Sequence, residues 1–253
     1  PSGRRRLVED PSIIALEIYA ANLLDKEAAI FAPSGTQSNL LGLLAHCQRG
    51  DEYIVGSNAH TFRYEGGGAA VLGSIAPHSV PMDQQGCLSL DDIRGAIKPD
   101  DIHFACSKVV CLENTHAGTP LPANYSFQVR QLCDEFGLAL HLDGARLFNA
   151  AVAQNASPMA IAEHFDSVSI CLSKGLGAPV GSLLVGTEEL IKVARRWRKV
   201  LGGGMRQGGI VAAGGLYALT HHVDDLVLDH QRAERVASVL ESRFGADTVR
   251  LAT

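Results

Sequence analysis

Short apolar runs ending in glycine, aspartate or serine alternate along this chain with longer segments of helical period, and that alternation restricts the fold more than any other feature. Strands joined by crossover helices run parallel, and a parallel sheet needs cover on both faces. The pattern predicts strands at Ala29–Phe31, Tyr53–Val55, Ala70–Leu72, Val109–Leu112, Ala139–Leu142, Ser167–Cys171 and Gly181–Val185. It predicts helices at Ser12–Leu24, Gln37–Cys47, Leu90–Ala96, Tyr125–Glu135, Arg146–Ala153, Met159–Glu163 and Glu188–Val200, then a long one from Gly208 to about Ser242. The expected fold class is α/β, a mostly parallel seven-stranded sheet flanked by helices. Residues 1–235 are expected to form one large α/β domain. Another strand begins at Asp247–Leu251, so residues 236–253 are expected to open a small C-terminal domain cut short at Thr253.

With 253 residues, of which 46% are hydrophobic and 19% charged, the chain can bury one substantial core. A net charge of −5, with basic residues scattered, gives no electrostatic footprint for nucleic acid or an anionic membrane. No run approaches the roughly 20 apolar residues of a membrane span, and Gly3-Arg4-Arg5-Arg6 leads into Glu9-Asp10-Pro11 without an apolar signal core. The six cysteines form no Cys-x-x-Cys pair and mostly lie in apolar runs, which predicts reduced thiols and a cytoplasmic location.

Two strand ends carry chemistry. Leu140-His141-Leu142-Asp143-Gly144-Ala145-Arg146 closes an apolar run with a carboxylate, a glycine and a cation. Ser167–Leu172 closes with Ser173-Lys174 followed by glycines that let a ligand approach the backbone. Carboxyl ends of parallel strands are where open α/β sheets place ligands. Pyridoxal phosphate explains both together: its aldehyde needs a lysine, and its ring nitrogen needs an acidic partner to stay protonated. Taken singly, Asp143 also reads as a helix cap and Lys174 as a solvated loop lysine. A third element, Pro33-Ser34-Gly35-Thr36-Gln37-Ser38-Asn39, follows the first strand and opens a helix whose N–H groups and dipole suit a phosphate, although Ser-Gly-Thr is equally an ordinary helix cap.

These motifs, together with Ala59-His60, Glu113-Asn114-Thr115-His116 and Ser173-Lys174-Gly175-Leu176-Gly177-Ala178-Pro179-Val180-Gly181, resemble the threonine aldolases over about Glu9 to Leu228. The resemblance implies the aspartate-aminotransferase fold type, pyridoxal phosphate as cofactor, and cleavage of L-threonine and related β-hydroxy-α-amino acids to glycine and an aldehyde. It implies that Lys174 bonds the cofactor, Asp143 pairs with the ring nitrogen, Gly35 and Thr36 bind phosphate, and Arg146 contacts cofactor and substrate carboxylate. Lys199 and Arg206 would reach the phosphate region of a neighbouring subunit in a homo-oligomer, a dimer of dimers; both also fit a solvated basic surface. His60 would stack on the ring and His103 would lie near the substrate hydroxyl, either of them, or a water between them, serving as base. Tyr64, four residues after His60, is expected to shape the pocket. His116 ranks behind them, a turn histidine bonded to backbone being an equal reading. No metal is implied. Elimination or transamination on the same scaffold, and an inactive truncated remnant, remain the competing expectations.

Overall fold

The computed structural model describes residues 10–245. In chain order the elements are α1 (Pro11–Leu23), β1 (Ala28–Ala32), α2 (Gly35–His46), β2 (Asp51–Gly56), α3 (His60–Arg63), α4 (Gly68–Gly73), β3 (Ala76–Val80), α5 (Leu90–Ala96), β4 (Cys106–Glu113) and α6 (Tyr125–Phe136). There follow β5 (Ala139–Gly144), α7 (Leu147–Gln154), α8 (Pro158–Ala162), β6 (Ser167–Cys171), β7 (Ser182–Gly186), α9 (Glu188–Val200), α10 (Gly209–His221) and α11 (Leu226–Phe244). The seven strands form one sheet in the order β1-β7-β6-β5-β4-β2-β3. The β3-β2-β4-β5-β6 portion is parallel, and β7 runs antiparallel to both its neighbours.

Local chemistry sets most boundaries. Asp10 caps α1, its Oδ1 accepting from the Ser12 amide at 2.9 Å, and Pro11 occupies a first-turn position where its missing N–H costs nothing. Thr187 caps α9, whose first turn is acidic (Glu188, Glu189) and last turn basic (Arg198, Lys199), as the helix dipole favours. Gly137 ends α6 at φ 65°, a left-handed conformation that suits glycine. Helices cover both faces of the sheet: α1, α5, α6, α7, α8 and α10 share one large core cluster, whereas α2, α4 and α9 lie over the other face.

The sequence pattern misplaces one strand. Ala70–Leu72, expected to be extended, lies inside α4, and the seventh strand is β3 instead. Val71 and Leu72 are 74% and 52% exposed, so this short apolar run carries no burial signal. β3 is an edge strand, mostly exposed and holding Pro77, a residue tolerated in sheets chiefly at edges. The helix expected from Gly208 to about Ser242 is broken at residues 222–225, where the His222 ring contacts the Leu176 carbonyl at 2.6 Å. The boundary expected at 235/236 falls within α11, and the strand expected at Asp247–Leu251 lies outside the described residues.

Candidate active site

Side-chain alternation gives the central strands two unlike faces. Leu140 and Leu142 of β5, and Val168 and Ile170 of β6, enter the large core. The residues between them, His141, Asp143, Ser167 and Ser169, are polar, buried, and turned toward α2. The α2 helix meets them with polar groups of its own. Asn39 donates from Nδ2 to Asp143 Oδ2 at 3.0 Å and to Glu65 Oε1 at 2.8 Å, and its Oδ1 lies 3.3 Å from His141 Nε2. His141 Nδ1 is 2.7 Å from Ser167 Oγ, which is 2.7 Å from His46 Nε2. Gly42 makes room for this arrangement, because a Cβ there would stand 2.7 Å from His141 Cε1.

The strand order reverses direction between β2 and β4, the crevice where α/β sheets bind ligands. His60 follows β2, and its backbone N–H donates to Oε2 of Glu113, the last residue of β4, at 2.6 Å. The other oxygen of Glu113 is 3.1 Å from His116 Nδ1, while the His116 backbone is bonded to Thr119. A cavity of about 480 Å³ opens here, lined by His60, Glu113, Thr115, Ala117, Gly118, Asp143, Ala145, Arg146, Asn149 and Lys174.

Two carboxylates of this network, Asp143 in the cavity wall and Glu65 bonded to Asn39, are shifted in the same direction. Burial, helped by Glu113, raises the Asp143 carboxyl above the usual carboxylate range, with His60 and Lys174 opposing. Glu65 is pushed up to about 8, chiefly by burial, against the opposing hydrogen bond from Asn39. Burial also drives His141 down to about 3 and His46 down to about 4, which leaves both neutral.

Within one chain, His60, Asp143, Arg146 and Lys174 line this single cavity. Gly35 and Thr36 form the first turn of α2 at the same sheet edge, where a Cβ on Gly35 would stand 3.6 Å from Ser182 Oγ. Tyr64 is 66% exposed, with its ring 5.7 Å from that of His60, which places it beside His60. His103 does not join them. It precedes β4 whereas the cavity opens at the other end of that strand, about 26 Å away at 3.3 Å per residue. Its exposed ring is bonded instead to Asp101 at 2.6 Å, and within its own chain it does not reach the cavity. Lys199 borders a separate hollow of about 680 Å³ along α9, and Arg206 is exposed in the loop that follows; neither lines the central cavity. Sequence reasoning passed over Glu65 and Asn149, and quoted Asn39, Glu113 and Thr115 without giving them roles. The alternate-position polar pattern of β5 and β6 was the available signal for the buried network.

Comparison with known proteins agrees with this geometry. Residues 2–252 match the model of the family described as Beta-eliminating lyase. A low specificity L-threonine aldolase of Escherichia coli K12 is 54% identical over 250 residues, covering 99% of this chain and 75% of the relative. Low-specificity L-threonine aldolase 1 of Arabidopsis thaliana is 41% identical over 242 residues, 93% of this chain and 68% of the relative. Among solved structures, a Listeria monocytogenes protein described as an L-allo-threonine aldolase superposes with a TM-score of 0.79 at 25% identity, covering 95% of this chain and 68% of that one. A Leishmania major threonine aldolase shares the fold at TM-score 0.82 and 23% identity, covering 95% of this chain and 73% of that one. A chain matched along almost its whole length by this family model and by such relatives belongs to the β-eliminating lyase family, and within it to the threonine aldolases.

Proposed function

We propose that this chain is a pyridoxal-phosphate-dependent aldolase that cleaves L-threonine, L-allo-threonine and related β-hydroxy-α-amino acids to glycine and an aldehyde. The observation that carries the proposal is that one cavity is lined by both a fully buried carboxylate, Asp143, and the strand-end lysine, Lys174. The cofactor fits the unsatisfied groups found there. Asp143 is buried with its oxygens bonded only to neutral amides, so a protonated ring nitrogen would supply the missing positive charge. Thr115 Oγ1, in the cavity wall, and Ser182 Oγ, beside Gly35, are buried without a partner. The first turn of α2 directs its free N–H groups and dipole toward the same edge, as a phosphate requires.

When bound, pyridoxal phosphate supplies the electron sink that accepts the pair released as Cα–Cβ breaks. The rest falls to side chains of this chain. Lys174 would bond the cofactor aldehyde. Asp143 keeps the ring nitrogen protonated, Gly35 and Thr36 hold the phosphate, and Arg146 orients the substrate carboxylate. His60 would stack against the ring and offers a ring nitrogen to the β-hydroxyl proton. Tyr64 borders the space for the substrate side chain. Lys199 and Arg206, exposed and outside their own chain's cavity, suit contact with a neighbouring subunit's phosphate region, so the active unit is a homo-oligomer, a dimer of dimers. Residues 1–235 would then serve as the large cofactor domain, with 236–253 opening a smaller one. The six free cysteines suit a reducing, cytoplasmic setting, and no helix among the described residues is long and apolar enough to cross a membrane.

The family name makes β-elimination the specific rival. Aldehyde release from threonine with no keto-acid acceptor supports the aldolase; pyruvate and ammonia from serine, with no aldehyde from either threonine diastereomer, would replace it with elimination.

A further inference from the structure

The side chain of Glu65 contacts the His60 ring and is not among the residues that line the cavity. Its Oε1 is 2.8 Å from Asn39 Nδ2 and 3.1 Å from His60 Nδ1. The orientation of Asn39 is settled by its surroundings: Nδ2 lies between two carboxylates, and Oδ1 faces His141. Asn39 therefore donates to Glu65 Oε1, and in the ionised side chain both oxygens can only accept. An oxygen that already accepts from Asn39 presents a lone pair to His60, not a hydrogen. The proton of the neutral His60 ring must then be on Nδ1, and Nε2 is bare. Nε2 has no hydrogen-bond partner among the described residues, and His60 lines the cavity.

We infer that Glu65 is a positioning residue: held by Asn39, it fixes His60 in the Nδ1–H form and so reserves the Nε2 lone pair for the substrate. This holds for ionised Glu65, the form present at alkaline pH, because a carboxylate oxygen can only accept. Asn39 is aimed in turn by a one-way chain of donors. Its Oδ1 takes the His141 Nε2 proton, His141 Nδ1 takes the Ser167 hydroxyl proton, and Ser167 Oγ takes the His46 Nε2 proton. Each ring in this chain is neutral, as its lowered basicity requires. The catalytic consequence rests on the aldolase reading above; the tautomer itself does not.

The test is ¹⁵N NMR of histidine-labelled, cofactor-free protein at alkaline pH, with His60 assigned by its loss in His60→Gln. The wild type should show a protonated Nδ1 and a bare Nε2. Glu65→Gln, which keeps a carbonyl oxygen facing Asn39, should preserve that pattern. Glu65→Leu should return His60 to the Nε2–H form that a free imidazole side chain prefers. A wild-type ring protonated at Nε2, or a folded Glu65→Leu protein that keeps Nδ1–H, would overturn the inference; should Glu65→Leu not fold, the wild-type and Glu65→Gln spectra decide. In the loaded enzyme, kcat should fall up to the 10²–10⁴-fold of a general base, roughly, in Glu65→Leu, with much smaller loss in Glu65→Gln. Equal losses in the two variants would likewise count against a tautomer role. If no threonine cleavage exists to measure, the aldolase reading fails while the NMR result still stands on its own.

Discussion

A carboxylate closed off from water calls for a positive charge, and Asp143 has only amide donors within reach. Asp143→Asn should accordingly leave the cofactor bound and slow cleavage severely. Removing one partner of a buried ion pair costs about 3–5 kcal/mol, or about 10²–10⁴-fold in rate if felt fully in the transition state. Near-normal kcat in a steady-state assay would reduce Asp143 to the cap of the Ala145 amide. Lys174 invites a chemical test: borohydride reduction of the holoenzyme followed by peptide mapping should place the label on Lys174 and none on Lys174→Ala protein. A label on Lys108, Lys192 or Lys199 would refute the assignment. Asp143 and Lys174 could be picked out in the sequence because each stands at a strand end beside glycine, whereas the roles expected of His60 and Arg146 came from the resemblance. Glu65 could not be picked out, because only folding brings it to Asn39, 26 positions earlier in the chain. His103 was placed by resemblance, and the path of β4 separates it from its own chain's cavity.

At the scale of elements, six of the seven expected strands and nearly all the helices coincide with the structure within three residues at each end, since the strands' apolar runs are buried on both faces. The exception is instructive. An edge strand needs little burial, so β3 leaves no apolar signature, whereas the apolar Ala70-Val71-Leu72 run lies in an exposed helix. The element that carries the site most directly is α2, whose Ser38–Leu44 segment is buried. Its close approach to β5 depends on Gly42. In Gly42→Ala the new methyl meets the His141 ring at 2.7 Å, and overpacking of this kind costs roughly 1–3 kcal/mol. A thermal melt should show a fall in Tm of roughly 2–4 °C for each kcal/mol. The same variant should weaken cofactor binding by displacing Asn39. An unchanged melt would mean that the helix can shift away freely.

For the molecule as a whole, the buried titrating groups oppose one another. His141 and His46 have folded values of about 3 and about 4 against 6.5 unfolded, so the unfolded chain binds more protons below 6.5 and stability falls with acid. Glu65 behaves in the opposite sense: at about 8 folded against 4.5, its contribution is full below 4.5 and is lost as pH rises through 8, and Asp143 shifts the same way. Between about 4.5 and 6.5 the two effects offset each other. The cofactor-free protein should therefore be most stable across that interval, losing stability on both sides. Melting curves from pH 4 to 9 would check this, and Glu65→Gln should flatten the alkaline side. An alkaline side as steep in Glu65→Gln as in the wild type would assign that loss to other groups.

The sheet's far edge has a consequence for synthesis. β1 is paired only through β7, Ala28 standing opposite Gly186, so this strand must wait for one made far later. At about 5–20 residues per second on a ribosome, the roughly 150 intervening residues take about 8–30 s. Throughout that interval β1 and the apolar side of α2 emerge without their partners, and contacts so distant along the chain form slowly. The nascent chain thus carries an exposed Ala28–Ala32 edge and the unfinished Asn39 hub until Gly186 is out, which makes that period the one in which a chaperone holding the segment from Ala28 to Asn39 would most raise the yield of folded enzyme.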